Sequence, residues 1–167
     1  MFRSAVAALF IMLLTSCAKD AAPPADATQR ANDANALTLN FQAIAGLNPG
    51  ASGQPAPVRV RIFELKNTAN FTRADYFGLV ERAPATLGPD LIDQDEVLLQ
   101  PGEQLSIKRS LDPATRHVGL VVGYREIDQA QWRAVLDVAP GQRREYQISL
   151  DVRAIRTDAA IPTRPAQ

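Results

Sequence analysis

Residues 37–43 read Leu37-Thr38-Leu39-Asn40-Phe41-Gln42-Ala43, a stretch in which apolar and polar side chains alternate without a break. Successive side chains of a β-strand point to opposite faces, so this pattern predicts a strand with one face in a core and the other in water. A second alternating stretch runs from Val58 to about Leu65 and carries Arg59 and Arg61 on its polar face. We therefore expect the folded part of the chain to begin with two half-buried strands.

Further strands are predicted between residues 97 and 154, separated by glycine and proline turns. Residues 97–111 carry Pro101-Gly102-Glu103 near their centre and predict a hairpin. Residues 117–125 are apolar on both faces, which is typical of a strand in the middle of a sheet. The last two predicted strands are residues 132–138 and 146–154. About seven strands joined by such turns favour a mainly β fold, an antiparallel β-sandwich.

A small helical insertion is predicted after the second strand. Asn70 is placed to cap a helical turn in which Phe71, Ala74 and Phe77 recur at helical spacing. Residues 84–93 contain Gly88-Pro89-Asp90 and are expected to be irregular or briefly helical, with Leu87, Leu91 and Ile92 folding back.

The N-terminus has the layout of a secretory signal. An apolar run from Ala5 to Leu14 follows Arg3, and it is shorter than the roughly 20 residues that span a bilayer. It ends in Leu14-Thr15-Ser16-Cys17, which resembles the lipobox of bacterial lipoproteins, whose cysteine is lipidated after the signal is cut before it. We expect a signal peptide over residues 1–16 and a covalent lipid on Cys17. An ordinary signal with an incidental thiol is the alternative.

The residue after the cysteine bears on the destination of the protein. It is Ala18 rather than Asp, and by the sorting rule of enterobacterial lipoproteins this points to the periplasmic face of the outer membrane. A disulfide is excluded because Cys17 is the only cysteine. The 18 basic and 18 acidic residues balance, which gives no electrostatic basis for nucleic-acid binding.

Composition divides the remaining chain into three parts. Residues 17–36 are rich in Ala, Pro, Asp and Asn without apolar periodicity, and they predict a flexible tether with a reach of about 25 Å. Residues 37–156 are expected to form the sandwich, a single domain of ordinary size. Residues 157–167 show no pattern and predict a mobile tail.

The loop between the first two predicted strands is a candidate interaction site. It is too long for a hairpin turn, Asn-Pro-Gly within it predicts a tight turn, and three prolines stiffen it. A connecting loop without a function is the alternative. The loop consists of Gly46, Leu47, Asn48, Pro49, Gly50, Ala51, Ser52, Gly53, Gln54, Pro55, Ala56 and Pro57.

Residues that could carry catalysis are scarce. His117 is the only histidine, so neither a histidine-based metal cluster nor a Cys-His pair can be assembled. Ser52 does not lie in a G-x-S-x-G elbow. Asp90, Asp93, Asp95 and Glu96 match no EF-hand spacing and are interpreted as a solvated face. The residues therefore give only weak support for catalysis or for a metal site, and we expect no cofactor apart from the lipid.

Two groups of aromatic residues are further candidates for an interaction site. Trp132 beside Arg133 has the composition of a binding anchor, but a strand tryptophan favours the core. Phe71, Tyr76 and Phe77 are likewise expected to pin the helical insertion to the sandwich rather than to meet a partner.

Short motifs in a fixed order carry a family resemblance. They are Leu47-Asn48-Pro49 with Gly53 and Pro55, residues 57–65, Phe71 with residues 74–77 and Leu79, residues 87–92, Asp95-Glu96, Pro101-Gly102-Glu103, Val118-Gly119, Tyr124-Arg125 and Trp132-Arg133. With the lipobox, this order resembles the TssJ (VasD or SciN) family of type VI secretion system outer-membrane lipoproteins, from about Leu39 to Val152.

The resemblance implies both a fold and a role. The fold would be a transthyretin-like sandwich of two antiparallel sheets with a small helical insertion. The role would be non-enzymatic: the lipoprotein binds the periplasmic C-terminal region of TssM and so fastens the membrane complex, which includes TssL, to the outer membrane. The family's contact loop maps onto Gly46 to Pro57.

Two other classes stay open at this stage. One is a periplasmic lipoprotein that binds a small ligand or cell-wall fragment, which requires a cavity within the sandwich. The other is a lipid-anchored hydrolase, which requires a buried serine or carboxylate near His117.

Overall fold

The structure is a computed structural model, and it describes residues 34–159. The predicted signal peptide over residues 1–16, the lipidation site Cys17, the tether up to residue 33 and residues 160–167 of the predicted tail lie outside the described residues. Within residues 34–159, no helix is long and apolar enough to cross a membrane.

Eight β-strands make up most of the described chain. They are β1 (Ala36–Ala43), β2 (Val58–Leu65), β3 (Leu91–Leu99), β4 (Gln104–Ser110), β5 (His117–Val122), β6 (Arg133–Asp137), β7 (Arg144–Leu150) and β8 (Ile155–Ala159).

The strands form two four-stranded sheets. The first sheet has the order β4-β1-β7-β8 and the second has the order β3-β2-β5-β6. Neighbouring strands are antiparallel except β1 and β7, which run parallel. The predicted β-sandwich of seven to eight strands is confirmed, with one parallel pair inside it.

The alternation in β1 places its apolar side chains between the sheets. Leu37 and Leu39 are fully buried there, and they meet buried side chains of the second sheet such as Val60 and Ile62. Burying a side chain of this size contributes roughly 1.5–3 kcal/mol. The predictions for β1 and β2 are confirmed, because each strand turns one apolar face to this core.

The helical insertion lies between β2 and β3 and covers the outer face of the second sheet. It comprises α1 (Ala69–Arg73), α2 (Tyr76–Glu81), α3 (Ala83–Leu87) and a 3-10 turn (Gly88–Asp90). The second buried cluster that it forms with the sheet consists of Phe63, Leu65, Phe71, Leu79, Ala83, Leu87 and Val121. β5 is thus covered on both faces and lies between β2 and β6, which confirms the interpretation of residues 117–125 as a central strand.

The insertion differs in detail from the prediction, because two helices replace one continuous turn. Asn70 lies inside α1 and does not cap it, and its amide donates to Asp90 Oδ2 at 3.0 Å. Ala74 is extended, and Asp75 caps α2 by accepting a hydrogen bond from Gly78 N at 2.6 Å. Since the helical period breaks at Ala74, Phe77 points outward and is 57% exposed.

The predicted hairpin over residues 97–111 is wrong, since β3 belongs to the second sheet and β4 to the first. The connecting residues bond to the end of β1 instead. Gly102 N donates to Ile44 O at 3.0 Å, and Ala43 N donates to Glu103 O at 2.9 Å. These bonds set β4 beside β1, so the short turn joins two sheets rather than two paired strands.

The predicted strand over residues 146–154 is in fact the first half of a hairpin. β7 ends at Leu150, where Asp151 N donates to Ala154 O at 2.8 Å and Asp151 Oδ1 accepts from Val152 N at 2.7 Å. β8 then pairs antiparallel with β7. Ordered strand therefore extends to Ala159, beyond the predicted domain boundary at residue 156.

A close approach between Gly119 and Phe71 generates a prediction. A Cβ on Gly119 would lie 2.6 Å from two carbons of the Phe71 ring, whereas a Cβ on Gly46 would meet nothing within 4 Å. We expect Gly119→Ala to lower the free energy of unfolding by about 1–3 kcal/mol through overpacking, measured by urea denaturation. Gly46→Ala is the control and should stay within about 0.5 kcal/mol of the wild type. Equal stability of both variants would contradict this packing.

Candidate functional site

The candidate loop joins strands that lie in opposite sheets, so it crosses one end of the sandwich. The register of the strands brings the other connections of this end beside it. We name this surface the loop end, and it consists of residues 44–57, 100–103, 123–132 and 151–154.

Asn48 ties three of these connections together. Its backbone N–H donates to Val152 O at 3.2 Å, and its amide nitrogen donates to Pro57 O at 3.0 Å. Its Oδ1 accepts a hydrogen bond from Arg125 N at 2.8 Å. The side chain is 4% exposed, so these bonds replace those that water would make. Asn48 thereby fixes the candidate loop to the β5–β6 connection and the β7–β8 turn.

The backbone at Asn48 corrects the prediction of a tight turn at Asn-Pro-Gly. Asn48 has φ 49°, a left-handed conformation that asparagine adopts more readily than most residues. The turns lie on either side of it. Leu47 N donates to Ile44 O at 3.2 Å, and Gly53 N donates to Gly50 O at 2.9 Å. The Asn-Pro-Gly segment therefore lies between two turns and is held in place by the hydrogen bonds of Asn48.

Burial divides the predicted site into a base and a tip. Leu47 is fully buried, Asn48 is 4% exposed and Ala56 is 6% exposed, so these residues form the base. Residues 51–55, which we name the loop tip, are all exposed. The Leu47 side chain belongs to the core, so in this conformation it adds no exposed surface to the predicted site. The exposed residues of the predicted site are the loop tip together with Gly46 and Pro57.

Two backbone hydrogen bonds span the loop, one at its base and one below its tip. Ala56 N donates to Leu47 O at 3.0 Å across the base, and Gly50 N donates to Gln54 O at 3.1 Å below the loop tip. With Pro49, Pro55 and Pro57 in the same segment, few backbone torsions stay free. The loop is accordingly preorganised, which lowers the entropy cost of binding.

Tyr124 supports the loop end from inside. It is 4% exposed, and within residues 34–159 its hydroxyl has no hydrogen-bond partner. Burial raises the pKa of its phenol far above the usual value, and the nearby Asp151 carboxylate shifts the pKa in the same direction. Tyr124 is therefore neutral at physiological pH and acts as a core residue.

Sequence reasoning missed the groups that hold the loop, Arg125 and Val152. Both contribute backbone atoms, an N–H and a carbonyl, and every residue type apart from proline offers both. No side-chain pattern identifies them. The available signal was Asn48 itself, since a short polar side chain before a proline in a long loop indicates a special backbone position.

His117, the histidine of the hydrolase alternative, lies beside an exposed carboxylate rather than a buried one. His117 Nδ1 lies 2.8 Å from Asp137 Oδ1, in an exposed pair at the start of β5. Since β5 ends at the loop end, His117 and Ser52 lie at opposite ends of the sandwich. Ser52 and His117 are therefore not brought together.

The predicted acidic cluster is divided among basic partners. Asp93 and Asp95 lie 3.1 and 3.9 Å from Arg109, and Glu96 lies 3.5 Å from Arg61. Within the part of the chain that the structure describes, no group of three or more His, Cys, Asp or Glu is placed to hold a metal ion. These ion pairs support the interpretation as a solvated face.

The aromatic residues fall into core and surface. Phe71 is fully buried and pins the insertion to the second sheet, as expected. Trp132 is half-buried against both clusters, with the Arg133 guanidinium 4.7 Å from its ring centroid. The Arg133 guanidinium also donates to Phe71 O at 2.8 Å and to Ala74 O at 2.9 Å. Trp132 and Arg133 thus attach the insertion to β6.

The ligand-binding alternative requires a cavity between the sheets, and that space is packed with apolar side chains from both. A depression of about 340 Å³ lined by Asn40, Gln42, Gln104 and Gln147 opens on the first sheet, where these polar side chains are partly or fully exposed. Such an open, polar surface differs from the enclosed apolar pockets that hold small ligands.

Fold and site together define a class: a small β-sandwich protein with a hydrogen-bonded loop across one end of the sandwich. Residues 35–154 match the family model described as type VI secretion lipoprotein, VasD, EvfM, TssJ, VC_A0113. The chain therefore belongs to the type VI secretion lipoprotein family.

Solved structures agree with this assignment. The chain is similar to the type VI lipoprotein TssJ1 of Pseudomonas aeruginosa, with 46% identity, 80% of this chain and 98% of the other covered, and a TM-score of 0.73. It is similar to Lip of Serratia marcescens, a membrane-bound component of the type VI secretion system, with 28% identity, 76% and 98% coverage, and a TM-score of 0.70.

A third similarity is to a chain in the structure of the TssM C-terminal domain from EAEC, with 30% identity, 75% and 98% coverage, and a TM-score of 0.58. A search of curated protein sequences finds no match.

The bonds of Asn48 generate a prediction on stability. Asn48→Ala leaves Pro57 O and Arg125 N without their partner and keeps a non-glycine residue at positive φ. We expect the free energy of unfolding to fall by about 2–4 kcal/mol in urea denaturation.

Gln54→Ala is the matched control, because Gln54 is exposed in the same loop and its backbone bond is kept. It should stay within about 0.5 kcal/mol of the wild type. A stable Asn48→Ala variant would show that the loop does not depend on these bonds.

Proposed function

We propose that this lipoprotein fastens the type VI secretion membrane complex, which includes TssL, to the outer membrane by binding the periplasmic C-terminal region of TssM. The contact is made by the β1–β2 loop, residues 46–57. The protein acts as a structural anchor without catalysis, held in the membrane by a lipid on Cys17.

The observation that carries the proposal is the form of the loop within a type VI lipoprotein sandwich. The loop tip projects from a base that is buried and hydrogen-bonded, so the exposed surface is held in one conformation. An anchor transmits force only while its contact resists dissociation, and a preorganised loop limits the entropy lost on binding.

Similarity to known structures supports TssM as the partner. A 30% identical chain occurs in the structure of the TssM C-terminal domain from EAEC, and that chain is covered over 98% of its length. The sequence supports the membrane attachment. Leu14-Thr15-Ser16-Cys17 resembles a lipobox, and Ala18 follows the cysteine. A lipid-modified cysteine with several acyl chains binds a membrane stably, whereas one chain binds only marginally.

Binding is tested by a matched pair of substitutions. Ala51 lies in the loop tip, and Ala114 lies in the connection between β4 and β5 at the opposite end of the sandwich; both are exposed. We expect Ala51→Arg to weaken binding to the periplasmic region of TssM from the same bacterium by about tenfold or more, roughly 1.4 kcal/mol, in calorimetry. Ala114→Arg should bind like the wild type.

Deleting residues 50–54 should abolish binding with little change in the thermal midpoint. Retained binding by that deletion would move the interface elsewhere, and no binding by the folded wild type would reject TssM as the partner.

Membrane attachment is tested at Cys17. Cys17→Ser removes the thiol that a lipid would modify, so palmitate labelling should be lost and the protein should disappear from the outer-membrane fraction. Ala18→Asp is the matched variant, which should keep the label and shift toward the inner membrane. Labelled Cys17→Ser protein in the outer membrane would contradict the anchor.

A further inference from the structure

Arg125 lies against the base of the candidate loop. A Cβ built on Gly50 would lie 2.5 Å from Arg125 Nη1, so the guanidinium occupies the space that a side chain at residue 50 would need. The backbone N–H of Arg125 donates to Asn48 Oδ1 at 2.8 Å. Arg125 is therefore held beside the loop through its backbone, and its exposed side chain reaches the loop where the tip begins.

The candidate loop contributes no charge of its own. Residues 44–57 contain no Asp, Glu, Lys, Arg or His. A surface formed by this loop alone would therefore offer a partner hydrogen bonds and apolar contact without an ionic interaction. Any ionic contribution at this surface has to come from a neighbouring connection.

The loop end has one other basic residue, Arg153, and it already has an acidic partner. Arg153 Nε lies 2.5 Å from Glu126 Oε2. Within residues 34–159, no carboxylate forms an ion pair with Arg125, and its guanidinium lies beside Gly50 of the loop. A planar guanidinium binds a carboxylate through two parallel hydrogen bonds, which gives both affinity and orientation.

We propose that Arg125 receives a carboxylate, from an Asp or Glu side chain of the protein that docks on the loop tip. The interface then comprises two connections. The β1–β2 loop provides the shape-complementary surface, and the β5–β6 connection provides the positive charge. Gly50 belongs to this arrangement because its missing side chain lets the guanidinium lie beside the tip. This inference rests on the proposed function and identifies the chemistry of the partner's contact.

The test uses the full-length lipoprotein in detergent micelles and the periplasmic region of TssM from the same bacterium. We expect Arg125→Gln to weaken binding by about 10- to 100-fold, since the hydrogen bonds lost involve charged groups. Arg125→Lys should recover part of the affinity. Raising the salt concentration should weaken the wild type more than Arg125→Gln, because salt screens the ionic contact.

Two further variants make the result specific. Arg143→Gln removes one positive charge, as Arg125→Gln does, but at an exposed site in the connection between β6 and β7, at the opposite end of the sandwich. This variant should bind like the wild type and with the same salt dependence. Gly50→Ala displaces the guanidinium while keeping its charge and should weaken binding several-fold.

If Arg125→Gln binds with the affinity and salt dependence of the wild type, the inference is overturned. If Ala51→Arg nevertheless loses binding, the proposed function stands without it. Weaker binding with an unchanged salt dependence would assign Arg125 a purely structural role, which also overturns the inference. If the wild type does not bind TssM at all, the proposed function fails and the inference with it.

Discussion

The first two strands of the chain lie in opposite sheets, and the structure of the loop end depends on that constraint. β1 pairs with β4 and β7, whereas β2 pairs with β3 and β5. Their connection must cross the open end of the sandwich, and within residues 34–159 no strand pairs with its backbone. Buried backbone groups there still need hydrogen bonds. Asn48 meets this need with a side chain that both donates and accepts, which is why a polar residue is buried at this position.

The two long sides of the sandwich are held in different ways. On one side, Gln131 bridges to the β7–β8 turn: its N–H donates to Arg153 O at 2.8 Å, and its carbonyl accepts from Ile155 N at 2.9 Å. On the other side, Arg109 of β4 reaches Glu64 of β2 at 3.1 Å. Glu64 is 3% exposed, and such a buried charge is tolerated only when it is fully bonded. Thr115 Oγ1 donates to it at 2.8 Å.

Patterns of burial were predictable from the sequence, whereas the pairing of strands was not. The alternation in β1 and β2 indicates which face of each strand packs against the core. The apolar character of β5 indicates that both of its faces are buried. Alternation carries no information on which strand lies alongside. The turn at Pro101-Gly102 therefore suggested a hairpin, although it joins two sheets. The candidate loop was found from its length and prolines, but the burial of Leu47 depends on contacts with distant strands.

The position of β1 also determines how the domain bears a mechanical load. The chain enters the sandwich at the first residue of β1, and the β1–β2 connection leaves from its last. Tension between those two points runs lengthwise along one strand that has a neighbour on each side, β4 and β7. The hydrogen bonds of both ladders lie across the strand, so such a pull loads them together in shear instead of opening them one after another. A strand in this position can slide only if many bonds break at once.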